Sequence, residues 1–241
     1  MIKDNILKGL TLLDSQGVEK LKSDLVFSND SNSIGFVNQH AYNLILNNDD
    51  VCHSFDSLTY RFRDGIGLKL ACKLNGISPG NNLNGTDFIP ELVSFYLEIN
   101  PNADVFIFGT KEPWLKAGSS TLLKDHPVTL LDGFKSIDDY LMLLKNKLVD
   151  DNKVLIILAM GMPKQELLAK EILKITNGPT LIICGGAVID FLANRFTRAP
   201  KFFRRIGMEW CYRLIVEPKR LFLRYVIGIP KFIFYIICNR L

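Results

Sequence analysis

The chain has 241 residues, 48% of them hydrophobic and 22% charged, a balance that excludes a disordered chain and predicts a soluble globular protein with a sizeable core. Its five cysteines, Cys52, Cys72, Cys184, Cys211 and Cys238, form no C-x-x-C pair, which argues against a disulfide framework or a cysteine zinc site and for a reducing, cytoplasmic compartment. The net charge is +4, but residues 195–241 hold eleven Lys and Arg against Glu209 and Glu217, so this tail carries +9 and the remainder about −5. Such asymmetry predicts an acidic partner for the tail, either nucleic acid or an anionic membrane.

The first 27 residues scatter lysines and aspartates among apolar positions and lack both an uninterrupted apolar stretch and an A-x-A pattern, so no signal peptide is expected. Residues 33–38 (SIGFVN) read as a strand, followed by a helix over 40–47, a loop around Asp64 and a helix near 66–74. Then come four apolar runs of strand length with little alternation, 104–109, 127–131, 153–160 and 179–184, a pattern that fits strands buried on both faces. Between them 112–124, 136–149 and 163–175 read as helices, with Pro113 and Pro163 near first-turn positions. The wiring predicts an α/β fold: a Rossmann-like, mostly parallel sheet with helices on both faces, plus a basic, aromatic-rich helical C-terminal appendage. We divide the chain into a core at 1–194 and an appendage at 195–241.

In the appendage Phe202, Ile206, Trp210 and Leu214 recur every four residues, predicting one stripe on one helix, and a second helix is expected to start at Pro218. The stretch 221–238 raises the question of membrane crossing. Arg224, Pro230 and Lys231 interrupt it, so it is expected to lie on a bilayer rather than span it. Ten of the 25 aromatic residues fall in the tail. Their interleaving with aliphatics at helical spacing fits lipid better than bases, so no nucleic-acid partner is expected.

Ligands of such sheets bind at the carboxyl ends of the strands. Three of those ends carry glycine, at Gly109, Gly161 and the Gly185-Gly186 pair, each followed by a helix whose free N–H groups suit an anion such as a diphosphate. No complete G-x-G-x-x-G follows a strand, because Leu70 stands where the third glycine after Gly65 and Gly67 belongs; a nicotinamide dehydrogenase is therefore disfavoured.

Several loops are dense in polar residues: N-Q-H-A-Y-N at 38–43, R-D-G-I-G at 63–67, N-G-T-D at 84–87, P-K-Q-E at 163–166 and R-A-P at 198–200. E-W-C-Y-R-L at 209–214 and E-P-K-R-L-x-x-R-Y at 217–225 follow. In this order the motifs resemble the WecG/TagA/CpsF family of bacterial glycosyltransferases, over about residues 33–225, with P-K-Q-E and the two tail motifs the most specific. The chain departs from the family pattern at Asn82, where an arginine is usual, and at Ile189 and Asn194, where an aromatic residue and a glycine are usual.

The resemblance implies inverting transfer of a sugar from a UDP-sugar to a saccharide on a polyprenyl (undecaprenyl) diphosphate. The setting would be synthesis of a cell-surface polysaccharide of capsule, exopolysaccharide, teichoic-acid or common-antigen type, with the protein peripheral at the inner face of the cytoplasmic membrane. Single displacement needs a general base for the acceptor hydroxyl, and the family analogy places it at Asp64, with His40 a second candidate. Asn38 and Asn43 are candidates for sugar hydroxyls, Gly65 and Gly67 for leaving room for two sugars, and Thr86 and Asp87 of the N-G-T-D segment for substrate binding. Gln165 would read sugar or uracil and Lys164 phosphate. Arg198, Arg213, Arg220 and Arg224 are candidates for the donor or lipid diphosphate.

No D-x-D occurs, and Asp49-Asp50, Asp138-Asp139 and Asp150-Asp151 fall at predicted helix ends, so no metal and no cofactor are expected. A homo-oligomer is compatible with the sequence. The competing reading is a nucleotide-sugar-binding, membrane-associated module in which Asp64 merely caps its helix.

Overall fold

The computed structural model describes residues 4–148, 152–176 and 178–239. The pair at 150–151 and the last residue of the helix predicted at 136–149 lie outside the described residues. In chain order α1 (Asn5–Lys8) and α2 (Ser15–Phe27) precede β1 (Asn32–Val37), and α3 (Gln39–Asn47) and α4 (Asp49–Asp56) lead to β2 (Tyr60–Arg63). Next come α5 (Gly65–Leu74), α6 (Gly85–Ile99), β3 (Asp104–Gly109), α7 (Trp114–Leu123), β4 (Thr129–Leu131), α8 (Ile137–Lys147), β5 (Val154–Ala159), α9 (Lys164–Ile172) and β6 (Thr180–Cys184). The remainder is helical: α10 (Val188–Leu192), α11 (Lys201–Arg205), α12 (Glu209–Val216), α13 (Pro218–Phe222), a π-helical turn over Leu223–Ile227, and α14 (Gly228–Cys238).

The six strands among the described residues are all parallel, in the order β2-β1-β6-β5-β3-β4, and the parallel sheet is the one expected from the unalternating apolar runs. Successive side chains of a strand point to opposite faces, and β5 shows the consequence. Ile156 and Leu158 join α3, α4, α5, α8, α9 and α14 on one face, while Leu155 and Ile157 join α2, α6, α7 and α10 on the other. The connection from β3 outward to β4 uses α7 on the second face, whereas β1 to β2 and β5 to β6, which run the opposite way across the sheet, use α3, α4 and α9 on the first. That is the arrangement right-handed crossovers require.

The tail departs from the single stripe expected over residues 202–214. Gly207 takes φ +74°, and Met208 N–H closes back on Phe203 O at 2.8 Å, a left-handed helix stop that glycine adopts without steric cost. Phe202 and Ile206 therefore stand exposed, on a different helix from Trp210 and Leu214.

From Pro218 the chain runs as one helix to Cys238, 21 residues, the one helix among the described residues long and apolar enough to cross a membrane by length and composition. Arg224, Pro230 and Lys231 do not interrupt it. The π-helical turn lies just before Pro230, where a residue without an N–H would otherwise strain the preceding turn.

This helix is seated on α3. Phe232 and Ile236 are 2% and 1% exposed within the core, Phe232 meets Tyr42 edge to face at 5.1 Å, and polar bonds fix the register. Asn43 Nδ2 donates to Gly228 O at 2.7 Å, Asn47 Oδ1 accepts from Lys231 Nζ and Tyr235 OH, both at 3.1 Å, and Asn239 Nδ2 donates to Tyr42 OH at 2.9 Å.

Candidate active site

Asp64 ends β2 and occupies the cap position of α5, yet its carboxylate accepts no capping hydrogen bond from that helix. Its backbone N–H donates to Val37 O at 2.9 Å, which sets it beside the end of β1. Asn38, the next residue there, caps α3 by accepting from the N–H groups of His40 and Ala41 at 3.0 and 3.2 Å. One neighbour of the Asp64 carboxylate is thus a working helix cap, and the aspartate itself is left for other chemistry.

Burial pushes the Asp64 carboxyl up to about 6. A polar contact from Asn38 opposes this, Glu209 raises it further, and Arg224 and Arg213 lower it. His40 is driven the other way, to about 4, by burial and by Arg224. Near neutral pH the imidazole is uncharged and too weakly basic to compete for a proton with the Asp64 carboxylate, which separates the two base candidates.

The tail therefore brings Glu209, Arg213 and Arg224 over the ends of β1 and β2. Arg224 is itself made harder to protonate by burial and by the nearby Arg213 and Arg220. The Nε groups of Arg213 and Arg224 are buried with no hydrogen-bond partner among the described residues. Buried donors without acceptors are costly, and the Nε groups of Arg198 and Arg204 are unpartnered among the described residues too.

Other predicted residues have definite employment. Lys164 Nζ donates to Gly133 O at 2.8 Å and Lys135 O at 2.6 Å, tying the loop after β4 to α9. Gln165, 1% exposed, donates to Glu166 Oε1 at 2.7 Å and accepts the Gly186 N–H at 2.9 Å. Its amide thus spans the turns after β5 and β6. Glu166 below it is fully buried, one oxygen has no partner, and burial raises its carboxyl to about 7.

Gly65, Gly161 and Gly186 have φ of +85°, +85° and +59° and face open space. Gly109 instead packs on the Ala159 backbone, where no Cβ fits, and Gly67 lets Phe232 come within 3.3 Å of where a Cβ would be. Asn43 holds α14 through Gly228, as above. Asp87 forms an ion pair with Arg198 at 2.5 Å, joining two candidates to each other, and the Thr86 N–H is taken by Asn84 Oδ1 at 2.9 Å. Arg220 pairs with Glu217 at 2.6 Å and stacks on Phe196 at 4.5 Å.

Two features escaped sequence reading. Glu209 gives no signal beyond its place in a tail motif. Thr110, Asp190 and Arg195 form a cluster behind the Gly109 turn, with Thr110 Oγ1 donating to Asp190 Oδ1 at 2.6 Å, Arg195 Nη1 bonded to both, and its guanidinium 4.2 Å from the Trp114 ring centre. The unusual Asn194 has φ +55°, a conformation that asparagine tolerates better than most residues with a side chain. Among the described residues no three His, Cys, Asp or Glu side chains cluster as metal ligands would.

The sequence profile of the WecG/TagA/CpsF glycosyl transferase family matches residues 9–241. The chain belongs to this family. Two curated relatives are both named N-acetylglucosaminyldiphosphoundecaprenol N-acetyl-beta-D-mannosaminyltransferase. That of Bacillus subtilis (strain 168) is 26% identical over 172 residues, 70% of this chain and 64% of the relative. That of Bacillus spizizenii is 25% identical over 173 residues, 70% of this chain and 65% of the relative. The match thus spans a little under two thirds of the length of each relative. Within the WecG/TagA/CpsF pattern, the candidate site gathers its Asp-Gly loop and its two tail motifs at one end of the sheet.

Proposed function

We propose that the protein transfers a sugar from a UDP-sugar to a sugar carried on undecaprenyl diphosphate, with inversion and without a metal. The relatives' names make an N-acetylmannosaminyl donor and an N-acetylglucosaminyl diphosphoundecaprenol acceptor the first pair to test. The observation that carries this reading is the juxtaposition of an uncapped carboxylate, Asp64, with the partnerless Nε groups of Arg213 and Arg224.

In the proposed step an acceptor hydroxyl attacks the anomeric carbon while Asp64 takes its proton. The bond from that carbon to the donor diphosphate breaks, and the electron pair leaves with the phosphate oxygen. Arg213 and Arg224 meet the charge that develops there, the task for which preplaced cations are most effective. Gly161 and Gly186, open and left-handed, allow the donor to approach the backbone.

Membrane proximity follows from the acceptor's lipid. One face of the tail helix packs on α3, while Phe222, Leu223, Val226, Ile227, Ile233, Phe234 and Ile237 are exposed, an arrangement suited to lying in a bilayer surface at the cytoplasmic side with Lys and Arg near anionic headgroups. The test is UDP release from a panel of UDP-sugars, with and without a short-chain diphospholipid-linked sugar, by wild type and Asp64→Asn. Acceptor-dependent release that the variant lacks supports the reading. No acceptor-dependent release with any donor refutes it.

A further inference from the structure

The Asp64 turn is held by hydrogen bonds rather than by packing. Gly65, at φ +85°, has no atom within 4 Å of where a Cβ would stand, and the Asp64 side chain makes no capping bond to the helix it precedes. What fixes the Gly65 peptide unit is a pair of bonds on either side of that residue. Its N–H donates to Asn82 Oδ1 at 2.8 Å, and its carbonyl accepts from Arg63 Nη1 at 3.0 Å.

Asn82 and Arg63 are in turn bonded to each other, Nη1 to Oδ1 at 3.2 Å. Arg63 is 3% exposed, and its remaining donors go to the loop that carries Asn82: Nε to Pro79 O at 2.7 Å and Nη2 to Gly80 O at 3.2 Å. That loop is anchored below. Gly80, at φ +57°, sits so close to residues 12–13 that a Cβ would lie 2.7 Å from Leu13 O, and Asn81 N–H donates to Leu13 O at 2.7 Å. A continuous line of short-range constraints thus runs from the N-terminal segment through the loop to the peptide next to Asp64.

We propose that Asn82 is a positioning residue for Asp64: its side-chain oxygen, oriented by Arg63, holds the Gly65 N–H and fixes the turn from which the Asp64 carboxylate acts. The inference rests on Asp64 being the general base. Its chemistry is particular to this chain, because Oδ1 accepts two bonds, whereas an arginine, the usual residue at this point of the family pattern, has no acceptor at all. Asn82 is exposed, so removing its side chain leaves no cavity, and an effect on turnover would not come from a disrupted core.

The experiment compares wild type, Asp64→Asn, Asn82→Ala and Asn82→Asp in the acceptor-dependent assay, with kcat and donor KM measured across pH and the melting temperature of each variant recorded. Loosening a catalytic group by about 1 Å costs on the order of 10²-fold. Asn82→Ala should lose roughly 10- to 100-fold in kcat, with donor KM and melting temperature close to wild type. Asn82→Asp keeps the acceptor and should recover most of kcat at high pH. Its added negative charge disfavours ionised Asp64, so the acid limb of its profile should move to higher pH.

An inactive Asp64→Asn beside an Asn82→Ala with wild-type kcat would overturn the positioning role and leave the base intact. Equal losses in Asn82→Ala and Asn82→Asp at every pH would overturn it too, since the retained acceptor would then be irrelevant. A fully active Asp64→Asn would remove the base itself, and this inference with it.

Discussion

Arg224, in a π-helical turn of the tail, stands beside Asp64, at the end of the second strand, and neither has a salt-bridge partner among the described residues. Its charge lowers the Asp64 pKa and that of His40 alike. An unneutralised arginine at this point thus adds to burial in keeping the imidazole neutral and, with Asn38, opposes the upward push of burial on the carboxyl. Arg224→Ala should therefore move the acid limb of the kcat/KM profile upward, in addition to weakening diphosphate stabilisation. A variant whose limb stays at the wild-type pH would separate Arg224 from Asp64.

With Asp64 as base and its carboxyl at about 6 in the free protein, kcat/KM should rise as pH climbs through about 6 and level off above it. Asp64→Asn, which cannot accept the proton, should lose roughly 10²- to 10⁴-fold in kcat. Retention of more than about a third of the wild-type value would take Asp64 out of the mechanism; the decline expected for a lost base is far larger.

The same residue has a stability consequence of opposite sign. A carboxyl that is harder to ionise in the folded protein favours folding while protonated, so its contribution is fully present below about 3.8 and lost as pH rises through about 6. Glu166 acts in the same direction between 4.5 and about 7. Asp64→Asn should accordingly be no more stable than wild type at pH 4 and more stable at pH 8. The difference should be on the order of 2 kcal/mol, reduced by partial exposure at the site. Denaturant titrations at the two pH values measure this. An equal difference at both would refute the burial account of its pKa.

The fold was legible where the sequence was most apolar. Runs such as 153–160 read as strands buried on both faces, and β1, β3, β5 and β6 lie where such runs stand, whereas the 127–131 run yields the short, half-buried edge strand β4. The β2 strand escaped because Tyr60–Arg63 alternates polar and apolar residues at the sheet edge, with too few apolar positions to register. The long α6 was obscured by Pro90 within it. For the candidate site, glycine and asparagine marked the turns but not their purpose. Gly109 and Gly67 also allow close packing, and Asn43 also holds a helix through its Nδ2, contacts that depend on partners far along the chain that no local pattern encodes. A buried arginine such as Arg63 reads in sequence like any surface one.

Turnover should survive excess EDTA, since the leaving diphosphate has Arg213, Arg224 and the open glycine turns at Gly161 and Gly186 to meet it. UDP release measured before and after chelation decides this. Loss that Mg²⁺ or Mn²⁺ restores would show that the arginines do not suffice.

The tail is predicted to do two separable things, and the packing of α14 says how to separate them. Phe232 lies in the core against Tyr42, so Phe232→Ala removes roughly 3–5 kcal/mol of docking energy without touching an arginine or the exposed apolar face. The sheet and its helices remain, and the tail loosens from α3. Such a variant should still sediment with anionic liposomes while turnover falls at least about tenfold, a loss of the size that small misplacements of catalytic groups produce. Replacing exposed Phe234 and Ile237 by serine does the reverse: the docked face is intact, and liposome binding should drop because aromatic and aliphatic insertion is lost. Truncation after Asn194 removes both, and with them Glu209, Arg213 and Arg224, so the remaining core should fold, stay in the supernatant and be inactive. If the truncated chain sediments with liposomes, the tail does not dock the membrane; if it turns over like the full chain, the tail does not complete the site; and if it does both, the tail has neither role.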